Sequence, residues 1–392
     1  MNQKSTSVAR RDSRLQASRI AGLGLAVLTS AAANAQTSPA PAVTIYGLLD
    51  TGVEYISNVG AGHSRLVRMP GLTGALPSRL GFRGSEDLGG GLRAMLTLET
   101  GIGLDTGSLN QGGRMFGRQA WVGLASNWGS VSLGRTYSML FWSLLDSDQL
   151  GPNVFSLGSF DSYLPNSRAD NSIAYRGTFS GLTVGANYSL GRDAVNAGPS
   201  PAGTNCAGEN AADKQACRQW SAMVKYDTPT WGAALAADEF HGGTGAFAGL
   251  VRSDLTDRRV TLNGYVKFGD GIKLTAGVIR RDNQGAALAS ATNGATAKSD
   301  LYWIGGAWSP PGLVTVDGQV QQLAFKNGGD KSTLTAVRAF YHLSPRTSAY
   351  AQVGHISNGS RLAFSVSSGQ PGSNLVAGGS QNAAMVGLRH TF

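Results

Sequence analysis

The chain has 392 residues, a length for one large domain or two ordinary ones, and it is rich in glycine (55) and poor in proline (13). Only 15% is charged and 41% is hydrophobic, far less apolar than a helical membrane protein. Tryptophan, tyrosine, phenylalanine, valine and leucine recur in regular clusters, which excludes intrinsic disorder.

Residues 1–35 read as a secretory signal peptide. Lys4, Arg10, Arg11, Arg14 and Arg19 form a basic start, an apolar stretch follows over 20–33, and Ala33-Asn34-Ala35 offers a small-residue cut ahead of Gln36. The segment is too short and wrongly flanked to span a bilayer. Its five basic residues and Asp12 account for +4 of the net charge of +9, so +5 stays with residues 36–392. No Lys/Arg run survives the cut, which argues against a nucleic-acid partner.

After Gln36 no stretch approaches the roughly 20 apolar residues of a transmembrane helix. Alternation with period two recurs instead. In 92–99, Leu92, Ala94, Leu96 and Leu98 oppose Arg93, Met95, Thr97 and Glu99. Leu262, Val266 and Phe268 oppose Thr261, Asn263 and Lys267; Val314, Val316 and Val320 oppose Asp317, Gln319 and Gln321; Ala349, Ala351 and Val353 oppose Tyr350 and Gln352. Each segment therefore predicts a strand with one apolar and one polar face.

A soluble sandwich alternates in the same way, so the connections discriminate better. Short turn-like segments lie at 85–91, 125–129, 177–181, 227–230, 269–271, 309–312 and 344–346. Long polar connections lie at 57–76, 104–113, 137–167, 191–218, 241–257, 283–298, 326–331 and 358–381, in strict alternation with the short ones. That pattern predicts an all-β chain forming a 16-stranded antiparallel transmembrane barrel, with tight turns inside the envelope and long loops outside. The polar face is expected to line a wet lumen. Aromatic residues near strand ends (Tyr46, Tyr55, Trp121, Trp128, Tyr188, Tyr226, Trp231, Tyr265, Phe268, Trp303, Trp308) suit interfacial girdles.

Cys206 and Cys217 share a Gly/Ala/Asn-rich stretch; an oxidising compartment favours a disulfide there over two free thiols, and no histidine sits close enough to suggest a metal. The five histidines are scattered and no Gly-x-Ser-x-Gly elbow occurs. The one tight acid–histidine cluster, Asp238, Glu239 and His241, reads as a solvated rim rather than a catalytic site. No enzyme activity and no cofactor or metal is expected.

Several stretches resemble the Gram-negative trimeric porin family of betaproteobacteria. Val43-Thr44-Ile45-Tyr46-Gly47-Leu48-Leu49-Asp50 resembles its first strand, and Ser78-Arg79-Leu80-Gly81-Phe82-Arg83-Gly84-Ser85-Glu86-Asp87-Leu88-Gly89 its second strand and turn. Gly117-Arg118-Gln119-Ala120-Trp121-Val122-Gly123-Leu124 with Ser130-Val131-Ser132-Leu133-Gly134-Arg135 is similar to the hairpin before the constriction loop. Val386-Gly387-Leu388-Arg389-His390-Thr391-Phe392 resembles its last strand, whose terminal Phe392 such proteins present to the barrel-assembly machinery.

The resemblance implies one barrel domain over 36–392 in the outer membrane, in contact with its lipid and lipopolysaccharide. It implies a homotrimer with one water-filled pore per subunit for small hydrophilic solutes and ions, and a third loop, 137–167, folded inward. Asp146, Asp148 and Asp161 of that loop are the expected acidic side of the constriction. Arg79, Arg83, Arg118 and Arg168 are the expected basic wall, with Arg118 on the face of Ala120 and Val122 and Arg168 on that of Asp170, Ser172 and Arg176. Arginines facing carboxylates across a gap select for polar solutes, and the basic excess predicts a mild anion preference. The alternatives are a substrate-specific channel, or a barrel enzyme or adhesin on the same scaffold.

Overall fold

The computed structural model describes residues 42–192, 206–269, 271–285, 297–326, 328–367 and 372–392; the segment 1–35 lies outside them. The first half of the chain holds β1 (Ala42–Val59), β2 (Ser64–Arg68), β3 (Arg79–Gly89), β4 (Leu92–Gly103), β5 (Ser108–Leu109), β6 (Gln119–Ser126), β7 (Gly129–Tyr137), β8 (Arg168–Phe179) and β9 (Leu182–Ser189). The second half holds β10 (Gln219–Asp227), β11 (Trp231–His241), β12 (Thr256–Phe268), β13 (Ile272–Asn283), β14 (Ala297–Trp308), β15 (Val314–Phe325), β16 (Lys331–His342), β17 (Thr347–Asn358) and β18 (Ser380–Thr391). A short helix, α1 (Met139–Leu144), opens the third long loop with Ser138 as its N-cap.

Successive strands pair antiparallel, and β18 pairs back onto β1, so the sheet closes. Leaving out the two short pieces β2 and β5, the wall has the sixteen strands expected. At the seam Gly47 and Phe392 exchange backbone hydrogen bonds, N to O, at 3.0 and 3.1 Å. A Cβ on Gly47 would lie 2.2 Å from the Phe392 ring, so only glycine admits that ring. The second barrel strand is split: β2 pairs with the upper half of β1 and β3 with the lower half, and the chain between Met69 and Ser78 dips inward between them. Asp50 catches that dip by accepting the backbone N–H of Ala75 and Leu76.

Accessibility settles which face points into the barrel. Gln321 is 1% exposed and Gln319 3%, whereas Val320 between them is 43% exposed. Leu262, Val353, Val386 and Ile304 likewise point outward, and Thr261, Gln352 and Asp317 inward. An apolar exterior over a polar interior is the arrangement of a barrel solvated by lipid. Seven of the expected girdle aromatics (Tyr55, Trp128, Tyr188, Tyr226, Trp231, Phe268, Trp308) are exposed on that outer surface. Tyr46, Trp121, Tyr265 and Trp303 correct the expectation: their strand parity turns them into the barrel, where Tyr46 donates to Glu99 and Trp303 to the Ser147 carbonyl.

Part of the interior is dry, which the sequence did not announce. Leu140, Leu144, Leu150, Val154, Phe155, Leu157, Phe160 and Leu164 of the third loop form one apolar cluster with inward residues of the far wall, among them Phe240, Ile279, Leu301, Leu323, Leu334 and Ile356. Leu250, Leu362 and Val366 from the fifth and eighth loops close it from above. The third loop is thus packed against β11–β18 as a small core inside the barrel, each buried aliphatic side chain contributing about 1.5–3 kcal/mol.

Cys206 and Cys217 are joined in a disulfide within the fourth long connection. Thiol labelling should succeed only after reduction, and Cys206→Ser should leave single-channel conductance unchanged. A conductance shift in that variant would tie the bridge to transport.

Candidate functional site: the barrel lumen

The third loop is held to the wall by charge as well as by its core. Asp161 accepts from Arg259 at 2.7 and 3.2 Å and lies 3.7 Å from Arg281, and Asp257 completes the cluster, accepting from Arg281 at 2.9 and 2.6 Å and lying 3.2 Å from Arg259. Burial works against the Asp161 charge, but Arg259 and Arg281 outweigh it and hold the carboxyl below the ordinary aspartate value. Next to it the Tyr163 hydroxyl donates to Asp238 at 2.5 Å and accepts from Gln219; burial and the Asp238 charge push that phenol well above its usual range. Glu239 and His241 share nothing with Asp238. Trp220 donates to Glu239, and His241 meets the Ser253 carbonyl at the loop edge, so the acid–histidine cluster is divided between the two sides of the wall.

Of the three loop carboxylates, Asp161 therefore faces β12 and β13, across the barrel from the basic wall expected for it. Asp148 receives hydrogen bonds from Gln319 and the Gly151 N–H and sits beside Phe141, Leu144, Leu145 and Pro152. Burial pushes its pKa up to about 7. A raised carboxyl pKa stabilises the folded loop below the unfolded value of about 4, a contribution lost as pH rises through about 7. Asp148→Asn should accordingly flatten the fall in melting temperature between pH 4 and pH 8; an unaltered pH profile would refute this role. Asp146 is half-exposed and pairs with Lys225, which also contacts Asp227 at 3.0 Å.

The expected basic wall divides into two levels. Near the loop, Glu99 receives Arg118 at 2.7 Å and Tyr46 at 2.8 Å, with Arg79 3.8 Å away. Arg118 and Arg168 both donate to the Tyr137 hydroxyl and are buried, and they border a void of only about 10 Å³ with Gln111 and Asn166, room for about one water. Arg118 precedes the first residue of β6, so strand parity does not bind it. It turns inward although Val122, with which it was expected to share a face, is 57% exposed to the outside.

Below this level, toward the short turns, lies an open space of about 630 Å³ lined by Arg83, Arg93, Arg176, Thr97, Gln119, Ser130 and Ser132, among others, with no carboxylate among its lining residues. The Arg83 guanidinium lies 4.1 Å over the Tyr46 ring and that of Arg176 3.9 Å over Trp142. Gly81 makes the first contact possible: a Cβ there would meet the Tyr46 ring at 2.3 Å. Arg93 and Arg176 were legible as inward by parity but were not singled out as site residues. Across the lumen, Lys225, Lys267 and Lys273 gather near Tyr265.

A family model described as Gram-negative porin matches residues 22–361. The chain belongs to the Gram-negative porin family. Its relatives include outer membrane porin protein 32 of Delftia acidovorans, 29% identical over 94% of this chain and 99% of the relative, and an outer membrane porin protein of Bordetella pertussis, 29% identical over 92% and 96%. Among solved structures, an anion-selective porin from Comamonas acidovorans superposes with a TM-score of 0.71 at 25% identity, covering 90% of this chain and all of that one. OmpT of Vibrio cholerae, in a trimer form, shares the fold with a TM-score of 0.60 at 14% identity, over 90% and 100%. The porin is thus a β-barrel of the Gram-negative outer membrane, a general diffusion channel for small hydrophilic solutes and ions, and a channel rather than an enzyme.

Proposed function

We infer that this porin favours anions and that its solutes pass along the β3–β8 wall. One observation carries the reading: among the described residues, the roomy part of the lumen is bordered by three exposed guanidinium groups and by no carboxylate. The carboxylates nearby, Glu99 and Asp170, are engaged by arginines, and Asp161 is consumed on the opposite wall. Low-dielectric walls focus the remaining positive field, so a few unmatched charges outweigh the net count.

Arg79, Arg118 and Arg168 would then act as the narrow level above, and Arg83 as its lower edge. The acidic counterpart is Asp146, whose carboxylate stays half-exposed, rather than Asp148 or Asp161. The likeness to a porin titled anion-selective supports the same sign. A homotrimer, removal of residues 1–35 on export and recognition of Phe392 by the barrel-assembly machinery belong to the same reading.

Single-channel recording in a planar bilayer under a KCl gradient tests it. The expected result is closure in three steps and a zero-current potential on the chloride side. A potential on the potassium side would overturn the anion preference, and closure in a single step would overturn the trimer.

A further inference from the structure

The open lumen carries aromatic and thioether groups that selection by charge does not require. Cross-strand pairing arranges its wall in three rows. The upper row runs through Arg83, Thr97, Trp121 and Gly134, and the lower row through Arg93, Ala125, Ser130 and Arg176. The row between them, Ser85, Met95, Gly123, Ser132 and Ala174, carries no charge and stands low except at Met95. A strand rises about 3.4 Å per residue, so neighbouring rows lie about 7 Å apart along the wall. Guanidinium groups thus flank a shallow uncharged saddle from above and below, and all five saddle residues border the space of about 630 Å³. Asp87, across from Arg93 at the rim, turns its carboxylate to the Gly89 N–H.

Trp142 faces the same space from the third loop. It stands on α1, packs on the cluster of Met139, Ala174, Met223 and Ala236, and meets the Tyr137 and Phe141 rings edge-on at 5.8 and 6.0 Å between centroids. The indole is thereby fixed, half-buried, with the Arg176 guanidinium 3.9 Å over its ring. Arg176 is itself exposed to the lumen, so the side of its guanidinium away from Trp142 is open to a solute. A planar guanidinium held on one aromatic face can stack a second ring on its other side. Trp121 and Met95 line the wall beside that position, and thioether sulfur also favours aromatic contacts.

We propose that the saddle is a subsite for arenecarboxylates, solutes whose flat aromatic ring lies on the Arg176 guanidinium beside Trp121 and Met95 while Arg83 or Arg93 takes the carboxylate. The proposal rests on the anion preference inferred above and adds a requirement for the ring. A saturated carboxylate of the same size satisfies the charges but has no π face to offer.

The test is planar-bilayer recording of the full barrel in symmetric KCl at neutral pH, with benzoate or cyclohexanecarboxylate added. The two anions share charge and carbon count and differ in the aromatic face. Benzoate is expected to half-block the unitary current at a concentration about threefold to fivefold lower than cyclohexanecarboxylate. Trp142→Leu and Arg176→Lys, which both preserve charge, should each bring that ratio close to one. The ratio is taken within each variant, so changes in overall conductance cancel. Arg176→Lys sits on the wall, outside the packing of α1, and stays informative if Trp142→Leu disturbs the loop. Equal half-block by the two anions, equal block by neutral benzamide, or an undiminished ratio in both variants would overturn the subsite. A KCl gradient across the same channels separates the two readings. Chloride preference with equal half-block removes the subsite alone, whereas potassium preference removes the anion preference and the subsite with it.

Discussion

Replacing Arg83, Arg93 and Arg176 together by glutamine is expected to move the zero-current potential under a KCl gradient toward potassium and to lower chloride conductance. All three are exposed to the open lumen, and none has a carboxylate partner among the described residues. A unit charge roughly 7 Å from a passing ion is worth about 0.6 kcal/mol at the dielectric of water, or nearly threefold in relative permeability per arginine. The three combined should shift the permeability ratio by about an order of magnitude at low salt and less at high salt, where the Debye length falls to about 3 Å. Arg118→Gln should do less to selectivity and more to stability, because that guanidinium is buried against Glu99 and the Tyr137 hydroxyl. The reverse ranking would move the selective field up to the buried level.

Asp161→Ala should open the channel. The carboxylate is the third loop's anchor on Arg259 and Arg281, and its removal leaves two enclosed guanidinium groups sharing Asp257. Breaking such a cluster costs about 3–5 kcal/mol. The apolar packing around Phe155 and Leu157 remains, so the barrel itself should still refold. Expected readouts are a larger and noisier unitary conductance and faster cleavage of the loop by added protease. Acid should mimic the variant. The Asp161 carboxyl is held below the ordinary value, so its stabilisation is present above about pH 4 and is lost as pH falls below that. Quiet, unaltered channels from Asp161→Ala would place the anchor elsewhere.

Strands and loops were legible because a lipid-facing strand repeats every two residues and the turn-rich segments mark its ends. The alternation Gln319, Val320, Gln321 says where a strand is, and the alternating loop lengths say that it spans a membrane. Which part of the lumen is dry was not legible. That depends on Phe155 meeting Gly354 and Trp303 meeting Ser147, contacts between segments far apart in the chain whose residue types look ordinary one by one. The same gap explains Asp161. Its acidity was readable, but its choice of Arg259 over Arg118 follows from which wall the loop's leucines prefer. Parity itself failed only where a residue stands outside the ladder, as Arg118 does just ahead of β6.

The seam carries a temporal consequence. Leu48 pairs with Thr391 and Ile56 with Ala383, so the first strand stays one-sided until the last has crossed the envelope. Every other neighbour pair in the wall is local, and hairpins of this kind form fast, whereas the closing pair must bring the two ends of the barrel together. An exposed edge strand invites pairing with any other chain in reach. The interval between export of β1 and arrival of Phe392 is therefore the window in which this barrel is most exposed to misassembly, and the ring of Phe392 seated over Gly47 ends it.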